Sequence, residues 1–284
     1  MSAKVVCISN LKGGVGKTTI TMALAEYLAG NIHSKRVLVI DLDPQCNLTS
    51  VMMDEDTWDK DFEKKELTIP YLFRHPDLFL NHFKNDEFIA KSGISSLRKN
   101  CSFKCLHFIP NSARMFEVQE NLINQNYFFS SLKPVNLLQE LLKPLLSKYD
   151  YILIDCPPTL NHIIRSAFLA SNFCLIPCVP NKMSIHGLEL VLEHIGKSNK
   201  IHGHNLKALG IIISRYNGTS AQTASINFIK ENPLFPEVFD AEIRERSKIA
   251  QALDYGGQVT YKQKYGESHD DMSALANEFI QKVG

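Results

Sequence analysis

Several features that would place the chain in a specialised class are missing. No apolar run reaches the roughly 18 residues that a membrane-spanning helix requires. An excess of one charge is missing too, because 31 Lys and Arg stand against 30 Asp and Glu for a net charge of +1. Seven cysteines, an odd number, include no Cys-x-x-Cys pair; three residues separate Cys101 from Cys105, and three separate Cys174 from Cys178. That usage fits a reducing cytoplasm and argues against a disulfide framework or a thiolate metal site. Cys174 and Cys178 fall in an apolar run and are expected to pack as small hydrophobes. No internal repeat or low-complexity linker breaks the sequence.

The 284 residues, 44% of them hydrophobic, can bury a substantial core and fit one α/β domain over residues 1–284. Apolar strand-like runs alternate with helical stretches, which predicts a mostly parallel sheet with helices on both faces. The strands are expected near residues 4–9, 37–41, 106–109, 151–155, 173–177 and 208–214. Residues 54–66 carry seven acidic and three basic side chains and read as a solvated surface element.

The most specific segment is Lys12-Gly13-Gly14-Val15-Gly16-Lys17-Thr18-Thr19. It follows the apolar run Val5-Val6-Cys7-Ile8 and opens a predicted helix over 18–29, the order of strand, loop and helix that a phosphate-binding loop needs. Glycines without Cβ atoms let the main chain approach phosphate oxygens, Lys17 reaches the β/γ-phosphates, and the Thr18 hydroxyl suits Mg²⁺. The helix N-terminus adds a favourable dipole. Counting back from Gly16, the first glycine of the general pattern falls on Leu11, and an extra lysine, Lys12, follows it.

Two further strands end in carboxylates. Arg36-Val37-Leu38-Val39-Ile40-Asp41-Leu42-Asp43-Pro44-Gln45 places Asp41 and Asp43 on one strand face by period two, and Tyr151-Ile152-Leu153-Ile154-Asp155 ends in Asp155. Carboxyl ends of parallel strands are where such sheets bind ligands. Each aspartate taken singly reads more readily as a strand-end turn or helix cap. Beside a P-loop, they read as a Mg²⁺ and water site.

With these motifs the chain resembles the ParA/Soj family of deviant Walker-A ATPases, part of a group that includes MinD-like proteins. KGGVGKTT, VLVIDLDPQCNLTS and YDYILIDCPP match the family's three motifs nearly letter for letter. The likeness continues through residues 106–112, 210–217 and 243–256, leaving 52–105 as a divergent surface segment. The resemblance implies a P-loop NTPase-type fold, ATP/ADP with Mg²⁺ as cofactors, and a homodimer that sandwiches ATP. Lys12 would then reach the partner's phosphates while Lys17 serves its own subunit. Thr18 would ligate Mg²⁺, Asp43 would orient the attacking water, Asp41 would support it, and Asp43 and Asp155 would meet the metal through water. Gly13, Gly14, Val15, Gly16 and Thr19 complete the phosphate cradle, and Arg215 and Asn217 resemble positions around the purine base. A polar exit from a buried strand is an equal reading of those last two residues.

Family members partition plasmids or chromosomes, bind DNA without sequence preference, and respond to a ParB-like centromere-binding partner. The region from 182 to 215 is locally basic, and Lys197 and Lys200, with Arg215 and Arg244, are the candidate phosphate contacts; the alternative is that they solvate helices and loops. A cytoplasmic, nucleoid-associated protein is expected, without a membrane partner, a cleavable signal peptide or an N-terminal DNA-binding extension. Two other readings are a MinD-like ATPase that positions a membrane-bound or protein complex and a nucleotide-dependent adaptor with negligible turnover. Residues 272–282 carry few cations where the first would show a basic amphipathic helix. The intact catalytic positions weigh against the second.

Overall fold

A computed structural model describes residues 2–30, 33–84, 106–123, 132–246 and 260–284. Its first half runs β1 (Lys4–Ile8), α1 (Lys17–Ala29), β2 (Val37–Asp41), α2 (Asn47–Met52), α3 (Glu55–Thr57), α4 (Ile69–Arg74), α5 (Pro76–Lys84) and β3 (Leu106–Ile109). After β3 come α6 (Arg114–Ile123), α7 (Leu137–Leu142), β4 (Tyr151–Asp155), α8 (His162–Ala170), β5 (Phe173–Cys178), α9 (Lys182–His202) and β6 (Lys207–Ile213). The chain then forms α10 (Ser220–Glu231), α11 (Tyr261–Tyr265) and α12 (His269–Val283).

The six strands form one sheet in the order β3-β2-β4-β1-β5-β6, and every pairing is parallel. All residues of β2 and β4 are buried, so both faces of the sheet are covered, as a parallel sheet with helical crossovers requires. Three strands occupy the predicted residues, β1 and β5 differ by one residue at an end, and β6 is shifted by one residue. Ser9 and Ser214, outside the strands, still donate their N–H groups to Leu175 O and Cys178 O, so these boundaries are fraying rather than misplacement. Cys174 and Cys178 are fully buried in β5, as expected for small hydrophobes. Cys101 and Cys105 lie outside the described residues.

Register places the site. Ile8 of β1 and Asp41 of β2 are both level with Asp155 of β4, so the loop leaving β1 and the turn leaving β2 converge above one carboxylate. On the other side, residues 237–243 run along β6, with Ile211 N–H donating to Glu237 O, Phe239 N–H to Ile211 O and Ile243 N–H to Ile213 O. Gly210 permits this approach, since a Cβ there would come within 2.6 Å of the Phe239 ring. The strip delivers residues 243–246 to the same end of the sheet.

The acidic stretch is anchored at one side despite its exposed charges. Asp54 caps α3 by accepting the Thr57 N–H, Trp58 donates its indole N–H to Asn111 O at 3.0 Å, and Phe62 is buried. Among the described residues, no helix is long and apolar enough to cross a membrane.

The P-loop helix α1 is also held from the C-terminal side. Lys264 and Glu26 form an ion pair at 2.5 Å with both side chains fully buried; Tyr265 OH donates to the other Glu26 oxygen at 2.9 Å. Removing one partner leaves the other charge uncompensated in the interior. Lys264→Met should therefore cost about 3–5 kcal/mol in urea denaturation. Glu26→Gln combined with Lys264→Met should recover most of that loss, because an amide still accepts from Tyr265 without burying a charge.

Candidate functional site

Residues 9–16 leave β1 as a loop and enter α1 at Gly16, its N-cap, which has φ 86°. Gly14 also has positive φ, 73°, and both positions require glycine for an unstrained turn. No side chain caps α1, and its first turn holds no acidic residue. Its free N–H groups and positive dipole end are left for an anion. Lys17 is 6% exposed and donates Nζ to Lys12 O at 3.1 Å. Burial pulls its pKa below the usual lysine value, while the Asp155 and Asp43 carboxylates resist that fall. A buried ammonium resting on one loop carbonyl retains donors for phosphate oxygens.

Thr18 Oγ1 donates to Asp155 Oδ2 at 2.7 Å, and Thr21 Oγ1 lies 3.5 Å from Asp155 Oδ1. Burial raises Asp155 well above the ordinary carboxylate range; the nearby Asp41 charge adds to this, and Thr18 and Lys17 oppose it. The arrangement suits a divalent cation, whose charge would relieve the crowding of carboxylates. Among the described residues no group of three His, Cys, Asp or Glu side chains could enclose a metal. A hydroxyl plus carboxylates acting through water is the donor set that Mg²⁺ accepts beside a phosphate.

Of the two aspartates of the second motif, Asp41 closes β2, and Asp43 lies beyond the strand at the start of a turn whose Cys46 N–H donates to Asp43 O. Asp41 is fully buried and accepts from Asp43 N at 3.0 Å, Thr49 N at 2.9 Å and Thr49 Oγ1 at 2.7 Å. Burial pushes it up to about 7, against those three hydrogen bonds. Asp41 thus ties the turn together, and Asp43 is left to line the cleft. Asn111 completes the support, donating its side-chain amide to Asp43 O and its N–H to Thr49 Oγ1, each at 2.9 Å.

The cleft has a volume of about 1050 Å³, the scale of a small-molecule site. Gly13, Gly14, Val15, Gly16, Lys17, Thr18, Thr19, Asp43, Arg215 and Arg244 all line it. Asp155 lies beneath, reached through Thr18, and Lys12 Nζ rests instead on Asn181 Oδ1 at 3.2 Å. Asn217 is not among the lining residues; its N–H donates to Gln222 Oε1 at 2.8 Å. Lys197 and Lys200 stand exposed on α9, Lys197 paired with Glu193. The four candidate DNA contacts are therefore split between the cleft and one helix.

Several contacts to the loop carried no readable sequence signal, although Ser214, Arg215 and Glu245 fall in stretches that resemble the family. Ser214 donates Oγ to Val15 O at 2.8 Å. Arg215, with left-handed φ 52°, reaches Gly14 O at 3.3 Å while Glu245 holds the same guanidinium at 2.9 and 2.5 Å. Glu245 and Ser214 lie about 200 or more residues from the loop in the chain, and only the fold brings them to it.

A glycine loop, an uncapped helix and a buried aspartate bonded to the loop threonine define an α/β protein of the P-loop class. Comparison with known proteins narrows the class. A family model described as an AAA domain matches residues 3–208. A ParA family protein of Chlamydia trachomatis is 28% identical over 281 residues, covering 98% of this chain and 97% of its own. The chain belongs to the ParA-type P-loop ATPases. The fold agrees: apo McdA of Cyanothece matches with a TM-score of 0.75 at 24% identity, covering 98% of this chain and 99% of that one. A putative plasmid partition protein of Borrelia burgdorferi bound to AMPPNP matches with a TM-score of 0.72 at 22% identity over 99% of each chain.

The buried acids set a pH dependence. Asp41 keeps its proton in the fold up to about pH 7, whereas the unfolded chain releases it near 3.8. The fold then binds more protons than the unfolded chain, so this contribution to stability is full below about 3.8 and is lost as pH rises through about 7. Thermal unfolding of the ligand-free protein should show wild type losing stability relative to Asp41→Asn across that window, although the variant is less stable throughout.

Proposed function

We propose that the protein is a partition-type ATPase whose ATP-bound form is a homodimer, with hydrolysis resetting the switch. The observation that carries this reading is the placement of its two loop lysines. Lys17 faces the cleft of its own subunit, whereas Lys12 does not line that cleft and directs Nζ to Asn181 at the start of α9. A lysine in that position is suited to a nucleotide held by a second copy.

ATP and Mg²⁺ are the proposed cofactors, and the bound metal would neutralise charge spreading over the transferred phosphoryl group. Backbone N–H groups of Gly13 to Thr19 cradle the phosphates, and Lys17 exchanges the Lys12 carbonyl for a phosphate oxygen. The Thr18 hydroxyl and, through water, Asp155 and Asp43 hold the metal. Asp43 also orients the attacking water, while Asp41 fixes the turn that carries it. Catalysis of this kind is mostly positioning and electrostatic stabilisation, which a preformed turn supplies. Arg215, which lines the cleft, serves its base end, and the base role of Asn217, whose N–H is held by Gln222, rests on the resemblance alone.

In the ATP-bound dimer, Lys197 and Lys200 of the two subunits contribute to one DNA-binding face, with Arg215 and Arg244 secondary because they line the nucleotide cleft. The exposed Lys197–Glu193 pair costs little to exchange for a DNA phosphate. The protein would act in the cytoplasm on the nucleoid, and a ParB-like partner would stimulate turnover.

Lys12→Ala should impair ATP-dependent dimerisation in sedimentation while nucleotide still binds, and Asp43→Ala should bind ATP yet release phosphate slowly. Unchanged dimerisation of the first, or normal turnover of the second, would reject the role assigned to that residue. ATP-bound protein should also be retained on random duplex DNA at low salt and released as salt rises, with Lys197→Ala/Lys200→Ala retained less. Absence of salt-sensitive retention would remove DNA from the function.

A further inference from the structure

Lys12 is held by a network that none of the phosphate-binding motifs contains. Its Nζ donates to Asn181 Oδ1 at 3.2 Å, and the same oxygen accepts the Ser184 N–H at 3.0 Å as the N-cap of α9. A second asparagine fixes the backbone beneath it. Asn10 is fully buried, accepts the Lys12 N–H at 3.0 Å and donates its amide to Pro177 O at 2.7 Å. The start of α9 presses directly on this asparagine: a Cβ at Gly187 would stand 2.9 Å from Asn10 Oδ1 and 4.0 Å from Lys12 Cβ. Backbone, side chain and helix end are thus joined around one lysine.

We propose that Asn181 is a positioning residue for Lys12, holding its ammonium against the subunit's own α9 until dimerisation draws it to the partner, an inference that rests on the trans role proposed above. A neutral amide oxygen suits a contact that must be released. It gives a cation a hydrogen bond, whereas a carboxylate at the same place would form a stronger ion pair. Because one oxygen serves two donors, Lys12 leaves without uncapping α9; the Ser184 N–H keeps its acceptor. The strength of this contact sets how much nucleotide is needed to assemble the dimer.

Asn181→Ser and Asn181→Asp separate holding from capping, since Ser and Asp are both good N-caps. The serine hydroxyl is too short to reach Lys12, and aspartate keeps the reach while adding charge. Both variants should melt close to wild type. Sedimentation with AMPPNP and Mg²⁺ should show the nucleotide concentration for half-dimerisation falling about three- to tenfold for Ser and rising by a similar factor for Asp. In the nucleotide-free monomer, amine acylation read by mass spectrometry at Lys12 should be faster in the Ser variant and slower in the Asp variant, which a purely structural cap would not produce. Unchanged thresholds or unchanged Lys12 reactivity would overturn the proposal while Lys12→Ala remains defective in dimerisation. Normal dimerisation of Lys12→Ala would instead remove the trans role itself.

Discussion

The site depends on one short hydrogen bond, from Thr18 Oγ1 to Asp155 Oδ2 at 2.7 Å. It joins the first turn of α1 to the end of β4, and it exists because β1 and β4 are parallel neighbours with Ile8 level with Asp155. A loop leaving β1 at that height has to turn back over the β4 carboxylate to enter its helix. The bond partly offsets the cost of burying Asp155, which crowding by Asp41 increases. A divalent cation placed there would complete a balance that the protein groups leave unfinished.

Around that bond, neighbouring residues of one chemical type take different tasks according to where the backbone turns. Asp41 ends a strand and is used up inside the protein by Asp43, Thr49 and the turn between them. Asp43, two residues on, is left facing the cleft. The lysines divide by place rather than by satisfaction: Lys17 lies in the first helical turn, buried and resting on Lys12 O, while Lys12 lies before the glycines and is drawn to Asn181 at the start of α9. Of the aspartates, Asp41, with three protein hydrogen bonds, holds geometry, and Asp43, with one from Gln45 N–H, keeps capacity toward the cleft.

Helix α1 transmits constraints from remote parts of the chain to the loop. Its N-terminus makes the phosphate cradle, and its middle and end are gripped by Tyr261 OH on Ala23 O, by the buried Lys264–Glu26 pair and by Tyr27 OH on Asn277. A buried ion pair is a weak source of net stability but a strong penalty on any arrangement that separates its partners. It therefore fixes α11 on the P-loop helix. Across the loop, α9 approaches so closely at Gly187 that a Cβ there would stand 2.9 Å from Asn10 Oδ1.

The strands and the phosphate loop were legible in the sequence because both are local. Apolar runs rich in β-branched residues, such as Val37-Leu38-Val39-Ile40, read as buried strands, and KGGVGKTT encodes its own turn through glycines that take positive φ without strain. The family motifs likewise pointed to Asp43 and Asp155 as strand-end carboxylates. Period two, however, says nothing of Asp43's surroundings, since β2 ends at Asp41 and Asp43 lies beyond it at the start of a turn whose Cys46 N–H donates to Asp43 O. The pairings of Asn181 with Lys12, Glu245 with Arg215, Ser214 with Val15 and Lys264 with Glu26 could not be read, because a lone polar residue has no partner until folding places it beside another. Sequence by itself determined which groups can bind a phosphate; only the tertiary structure decided which of them are free to do so, because hydrogen bonds across the sheet and between distant helices occupy the rest.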